Sequence, residues 1–323
     1  MIFHGDAVLA RARKSETEGA SARARNEYVE ASFWYFFARF PHIINPEGAD
    51  AYQRHIAAYK CAARHFDGSF EELAIPFEPA PLTAYLRIPA QAKARRVPAV
   101  VIWGGIDVWK SDLELHSQSE AILQRGIATL SIDSPGTGQC PIPASPDAER
   151  VYLAAIDAVR THHAINPDLI GCFGLSFGGH WAVKVALLRP GLAGVVNNGG
   201  PIHHSFDSSR LGALPPGTRI ALARMVGLNP AGDPEALASR LGELSLVRQG
   251  LLPATRHSPL LSLNGEFDEL VTIKDLDLMS QVGVRQDRLI FGNDRHCASR
   301  NSPLHRQFVA DWFAYRMREG LSA

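Results

Sequence analysis

Leu169-Ile170-Gly171-Cys172-Phe173-Gly174-Leu175-Ser176-Phe177-Gly178-Gly179-His180-Trp181-Ala182-Val183-Lys184 is the stretch on which the reading of this 323-residue chain turns. Residues 169–173 form a short apolar run, as a buried strand requires. Gly174-Leu175-Ser176-Phe177-Gly178 is a G-x-S-x-G, and the residues after it open a helix that runs on to Leu188. A serine between two glycines at this spacing fits a sharp strand-to-helix turn, because small residues two before and two after let backbone segments approach closely. The pattern alone arises by accident in a glycine-rich chain. Its place between a strand and a helix makes Ser176 a candidate nucleophile. The helix N-terminus behind it lowers the cost of negative charge there.

Outward from this point, strand and helix signals alternate. Val97–Trp103 is an apolar run ending in Gly104-Gly105, and residues 127–132 form another, ending in Asp133-Ser134-Pro135-Gly136-Thr137-Gly138. Strand runs follow at 193–196, 260–263 and 288–291, with helical patterns over 117–125, 146–163 and 304–317. Two further runs, 73–77 and 82–88, precede them. Apolar strands separated by helices imply an α/β class, a mostly parallel sheet covered on both faces. Functional residues then belong at the carboxyl ends of the strands.

Two segments stand outside this rhythm. Residues 1–68 read as helical, with Val29, Phe33, Phe36, Phe37 and Phe40 at helical spacing, Pro41 as a stop and a second helix over 50–66. The interval between Val196 and Leu260 is about sixty residues, too long for an ordinary connection, and reads as a helical insertion over the strand ends. The expected organisation is a helical N-terminal segment (1–68), a core (69–200 and 259–323) and a helical cap insertion (201–258).

Composition removes several classes. The 33 Lys+Arg balance 33 Asp+Glu, which gives no basic face for nucleic acid. The basic cluster Lys93-Ala94-Arg95-Arg96 reads as a solvated turn. No apolar run is long enough for a membrane span, and the N-terminus lacks a secretory signal pattern. The four cysteines are scattered and read as free thiols of a reducing compartment, so a cytoplasmic location is expected. No P-loop, no dinucleotide-binding glycine motif and no metal-ligand spacing appears. No cofactor or metal is expected.

A serine hydroxyl needs a base and an acid that orients the base. On this topology the order is Ser, Asp or Glu, then His. Asp268, after the strand run 260–263, is the preferred acid, with Glu266 as rival. His296, after the run 288–291, is the preferred base. His305, inside the closing helix, is a poor one. The oxyanion hole needs two N–H groups. Phe177 offers one, and Gly105 or Ile106 the other.

Gly104-Gly105, the Asp133–Gly138 string, the Ser176 turn and the loops of Asp268 and His296 together resemble the α/β-hydrolase fold, over about residues 70–320. Within it, Gly104-Gly105-Ile106-Asp107-Val108-Trp109-Lys110-Ser111-Asp112 and Gly199-Gly200-Pro201-Ile202-His203-His204 are similar to one subgroup. That subgroup holds the fermentation–respiration-switch esterase-like proteins, 2,6-dihydroxypseudooxynicotine hydrolase and fungal hydrolases that shorten polyketide pigment precursors. The helical N-terminal segment agrees with it. The resemblance implies a Ser–Asp–His hydrolase with a helical cap. Its substrate would be an ester, or a compound cleaved at a carbon–carbon bond next to a ketone, with a bulky aromatic or polyketide-like acyl group. A plain carboxylesterase, an acyltransferase and a non-catalytic ligand-binding protein are the competing readings. Asp107 and Lys110 are candidate contacts to a phenol or ketone, or else an ion pair anchoring their loop. His203, His204 and Phe37 are candidate pocket residues, each with packing as its alternative. The aromatic N-terminal helices suggest a homodimer as a further expectation.

Overall fold

A computed structural model of the chain describes residues 1–92, 96–254, 258–281 and 286–319, so three of the four residues of the basic cluster lie outside the described residues. Three helices come first, α1 (Ile2–Thr17), α2 (Ser21–Arg39) and α3 (Pro46–Ala63). The sheet strands are β1 (Ser69–Ile75), β2 (Leu82–Ile88), β3 (Val97–Trp103), β4 (Ala128–Ile132), β5 (Ile165–Leu175), β6 (Gly194–Asn198), β7 (Leu260–Gly265) and β8 (Gln286–Phe291). Helix α4 (Leu113–Leu123) follows β3, α5 (Arg150–Thr161) follows β4 and α6 (Phe177–Leu188) follows β5. Between β6 and β7 lie α7 (Ser208–Ala213), α8 (Pro216–Met225) and α9 (Pro234–Glu243). Helix α10 (Ile273–Asp277) follows β7, and α11 (Ser302–Glu319) closes the described chain.

The sheet order is β1-β2-β4-β3-β5-β6-β7-β8. Strand β2 runs antiparallel to both its neighbours, and every other pairing from β4 to β8 is parallel. The central strands alternate between two cores, as a period of two requires. Ala99, Val101 and Trp103 of β3 face a cluster that includes α5 and α6, while Val100 and Ile102 face α4 and α11. Both faces are therefore covered, and the carboxyl ends of β3, β5, β7 and β8 share one edge. The segment after β6 packs into the first cluster through Phe206, Leu211, Leu222, Met225 and Leu241, above that edge.

The element bounds of β2 and β3 match the sequence pattern. Strand β5 begins four residues earlier than the apolar run, because Ile165 pairs with Val97 across an irregularity in register. The 1–68 segment holds three helices rather than the two the pattern resolved, with Gly19 at positive φ in the turn between the first two.

One buried cluster ties the N-terminal helices to the loop after β3. Arg39, at the end of α2, donates from Nη1 to the Asp107 carbonyl at 2.9 Å and forms an ion pair with Asp112, both side chains fully buried. Its guanidinium lies 3.5 Å from the centre of the Trp109 ring, a close cation–π contact. His55 of α3 meets Ser111 Oγ at 2.8 Å through Nε2 and the Ser32 carbonyl at 2.9 Å through Nδ1. Burial, and then the Arg39 charge, pushes His55 down to about 3, so it stays neutral. Removing one partner of a buried ion pair strands the other's charge. Arg39→Ala is therefore expected to cost about 3–5 kcal/mol in urea unfolding at neutral pH. A loss below about 1 kcal/mol would show that the pair does not hold these parts together.

Candidate active site

Ser176 sits between β5 and α6 at φ 56° and ψ −130°, a conformation an L-residue adopts only under constraint. The glycines around it explain why the turn closes. A Cβ on Gly174 would lie 2.1 Å from the Gly178 carbonyl oxygen, and a Cβ on Gly178 would lie 2.5 Å from that of Gly104. Trp103 Nε1 donates to the Gly178 carbonyl at 2.8 Å, fixing the start of α6 to the end of β3. Gly105 is equally confined, since a Cβ there would meet Ser176 Cβ at 2.8 Å and the Phe177 nitrogen at 3.0 Å. The loop after β3 thus lies directly against the serine, with Ile106 and Phe177 both lining the space in front of it.

Ser176 Oγ lies 2.7 Å from His296 Nε2, and His296 Nδ1 lies 2.7 Å from Asp268 Oδ2. The carboxylate of Asp268 also accepts from the backbone N–H groups of Leu270 (2.8 Å) and Val271 (3.0 Å) and from Asn264 Nδ2 (2.7 Å). Burial acts to raise the Asp268 carboxyl, but His296 and these donors outweigh it and hold it below the ordinary value. Burial disfavours charge on His296 as well. The Cys297 sulfur and the Asp268 carboxylate oppose that, and the net direction is well above the ordinary 6.5. An anionic acceptor at Nδ1 favours the tautomer that leaves Nε2 as an acceptor toward Ser176 Oγ. Glu266, the rival acid, is exposed.

Two residues absent from the sequence reading position these loops. Asn264, fully buried at the end of β7, holds Asp268 with its amide nitrogen. Its Oδ1 accepts from the Cys297 N–H at 2.9 Å, so one side chain joins the acid loop to the base loop. Asp294 folds the base loop, accepting from the N–H groups of Arg295, Arg300 and Asn301 and from Asn301 Nδ2. Inside that loop Cys297 and Ala298 both have positive φ, 57° and 51°.

Two cavities meet at Ser176 and His296. The first is walled by Phe177, Phe206, Leu211, Leu214, Leu222 and Leu241, largely from the segment after β6. The second is lined by Asp107, Glu114, Gln118, Ser299, His305 and Arg306. Asp107 is thus beside the serine, and burial raises its carboxyl despite the nearby His296.

The other expected contacts fall elsewhere. Lys110 does not pair with Asp107. Its ammonium is buried 2.5 Å from Asp133 Oδ2 and 2.7 Å from Gln139 Oε1, and it faces neither cavity. His203 and His204 give their backbone N–H groups to the buried Asp275, and the His203 ring meets Ser245 Oγ at 2.7 Å. They anchor the start of the insertion and line neither cavity. Phe37 lies on the outer face of α2, 43% exposed, against Phe33 and Phe36 and away from both cavities. A helical stripe does not reveal which of its members faces outward when neighbouring positions are aromatic too.

Asn264→Ala would leave the Cys297 N–H and Asp268 each one partner short. The expected cost is about 2 kcal/mol in urea unfolding. A change below about 0.5 kcal/mol would mean that the two loops are positioned without it.

Among the described residues there is no cluster suited to a metal ion and no helix long and apolar enough to cross a membrane. Comparison with known proteins agrees with this architecture. The structure superimposes on 2,6-dihydroxy-pseudo-oxynicotine hydrolase with a TM-score of 0.86, 23% identity and coverage of 98% of this chain and 87% of that one. AbyA5 gives a TM-score of 0.79 at 22% identity, over 98% and 88%. These likenesses establish the fold. Esterase FrsA of Citrobacter koseri is 30% identical over 255 residues, 77% of this chain, and the match spans about three fifths (61%) of that esterase's length. A family model described as Esterase FrsA-like matches residues 5–317. The chain therefore belongs to the FrsA-like esterase family, within the α/β-hydrolases.

Proposed function

We propose that the protein is a serine hydrolase. It cleaves an ester bond, or a carbon–carbon bond next to a ketone, in a compound with a bulky apolar acyl group. The observation that supports this most directly is the unbroken hydrogen-bonded chain Ser176–His296–Asp268 at the mouth of an apolar cavity. In this reading residues 201–258 form a cap that shapes the acyl pocket.

Ser176 Oγ adds to the substrate carbonyl carbon as its proton passes to His296 Nε2. The backbone N–H groups of Phe177 and Ile106 hold the oxyanion, with Gly105 allowing the close approach. Asp268 stabilises the imidazolium and keeps its orientation. When the tetrahedral adduct collapses, the leaving group takes the proton from His296 and departs, leaving an acyl-Ser176. Water then adds to the acyl carbonyl, His296 taking its proton, and the carboxylic acid is released with Ser176 restored. Cleavage of a carbon–carbon bond follows the same outline with an enolate or electron-rich ring as the leaving group. Asp107, half-buried on the second cavity with its carboxyl raised by burial, supports this second case as a polar group near that leaving group.

The test is steady-state hydrolysis of p-nitrophenyl esters of graded acyl length, with β-diketones and aryl ketones in parallel. Ser176→Ala is expected to lower kcat by about 10⁴-fold or more. Unchanged turnover in that variant would overturn the reading. The pH profile carries a second expectation. His296 must be neutral to accept the proton, and its pKa is raised, so kcat/KM is lost as pH falls through a midpoint above 6.5. Asp268→Asn removes one upward influence on His296. It is expected to move that midpoint to lower pH and to reduce kcat by about 10⁴-fold. A midpoint that does not move would remove Asp268 from its role.

A further inference from the structure

The second cavity holds polar groups that the reaction as described does not use. Glu114 and Gln118 lie one turn apart on α4 and so share a face. His305 and Arg306 approach from the start of α11, and the 106–108 segment forms the third side. Gln118 and His305 are almost wholly buried, 2% and 4% exposed. Yet Glu114 Oε2, Gln118 Oε1 and His305 Nδ1 are buried without a hydrogen-bond partner in the chain. Buried polar atoms are nearly always paired, so three orphans on one cavity mark a place where a ligand completes the bonding. Burial keeps His305 neutral, at about 4, and raises Glu114. The Arg306 charge is also disfavoured by burial.

Ser176 and His296 line both cavities, whereas Phe177 lines only the first, and Cys297, Ser299 and Ser302, beyond the base, line only the second. On the basis of the hydrolase reading above, we infer that the acyl chain occupies the first cavity and that the second is a leaving-group subsite for an alcohol bearing further hydroxyls, a polyol or sugar. A hydroxyl suits this lining because it gives and takes at once. It donates to Glu114 Oε2 or Gln118 Oε1 and accepts from the Arg306 guanidinium. An alkyl alcohol does neither, and an ammonium cannot accept.

The experiment compares two esters with one acyl group and alcohol parts of similar size, 1-monohexanoylglycerol and n-pentyl hexanoate, with p-nitrophenyl hexanoate as the check on hydrolysis itself. The wild type is expected to favour the glyceryl ester by about tenfold or more in kcat/KM. Glu114→Ala and Gln118→Leu are each expected to reduce that ratio at least about threefold, and together to bring it near one. The ratio is internal to each variant, so partial loss of folded enzyme cancels from it. A wild-type ratio near one, with Ser176-dependent cleavage of the p-nitrophenyl ester, would overturn the subsite and leave the hydrolase reading standing. A high ratio that survives both substitutions would overturn it equally. Absence of Ser176-dependent cleavage of all three esters would remove the ester-cleaving form of the hydrolase reading and the subsite with it.

Discussion

The backbone at Ser176 is the constraint around which the rest is arranged. A serine held at φ 56° and ψ −130° costs on the order of 1–3 kcal/mol and persists only where its surroundings determine it. Here they do so from three sides. Gly174 and Gly178 close the turn, Trp103 fixes the first turn of α6 to β3, and Gly105 packs against the serine with no room for a side chain. The same tightness that strains the serine brings the loop after β3 to its side. Strain and site are consequences of one packing arrangement.

Around that point the molecule builds stiffness from buried polar contacts rather than from the sheet alone. On one side, Arg39 and His55 of the N-terminal helices grip the 106–112 segment through Asp107, Ser111 and Asp112. On the other, Asn264 and Asp294 fix the loops that carry Asp268 and His296. The N-terminal helices are thereby more than an appendage. They set the loop that lies against the serine, while the segment after β6 supplies the apolar wall.

Much of the core was legible because it is local. The apolar runs of β2 and β3 have the observed bounds, and the Ser176 motif between its strand and helix fixes the topology. That Asp268 and His296 come together with Ser176 was legible because the chain order expected on such a sheet leaves few acids and bases after β7 and β8. What could not be read is what depends on distant segments meeting. Asn264 looks like a turn residue, and Arg39 like the polar end of an aromatic helix. Lys110 has an acidic neighbour three residues away in Asp107, yet it pairs with Asp133, which the adjacent strand β4 delivers. Glu114, Gln118, His305 and Arg306 belong to two helices almost two hundred residues apart, and only the packing of those helices gathers these polar groups around one cavity. His203 and His204 show the opposite case, conspicuous side chains in a segment whose backbone N–H groups do the binding, to Asp275.

The proposed mechanism depends on chemical activation of Ser176 by His296. Treating the purified protein with a fluorophosphonate and locating the adduct by mass spectrometry tests it most directly. Stoichiometric labelling at Ser176 is expected, absent in Ser176→Ala and slowed when His296 is replaced. Labelling at other serines only, or no labelling by a fluorophosphonate or by a smaller sulfonyl fluoride, would contradict it.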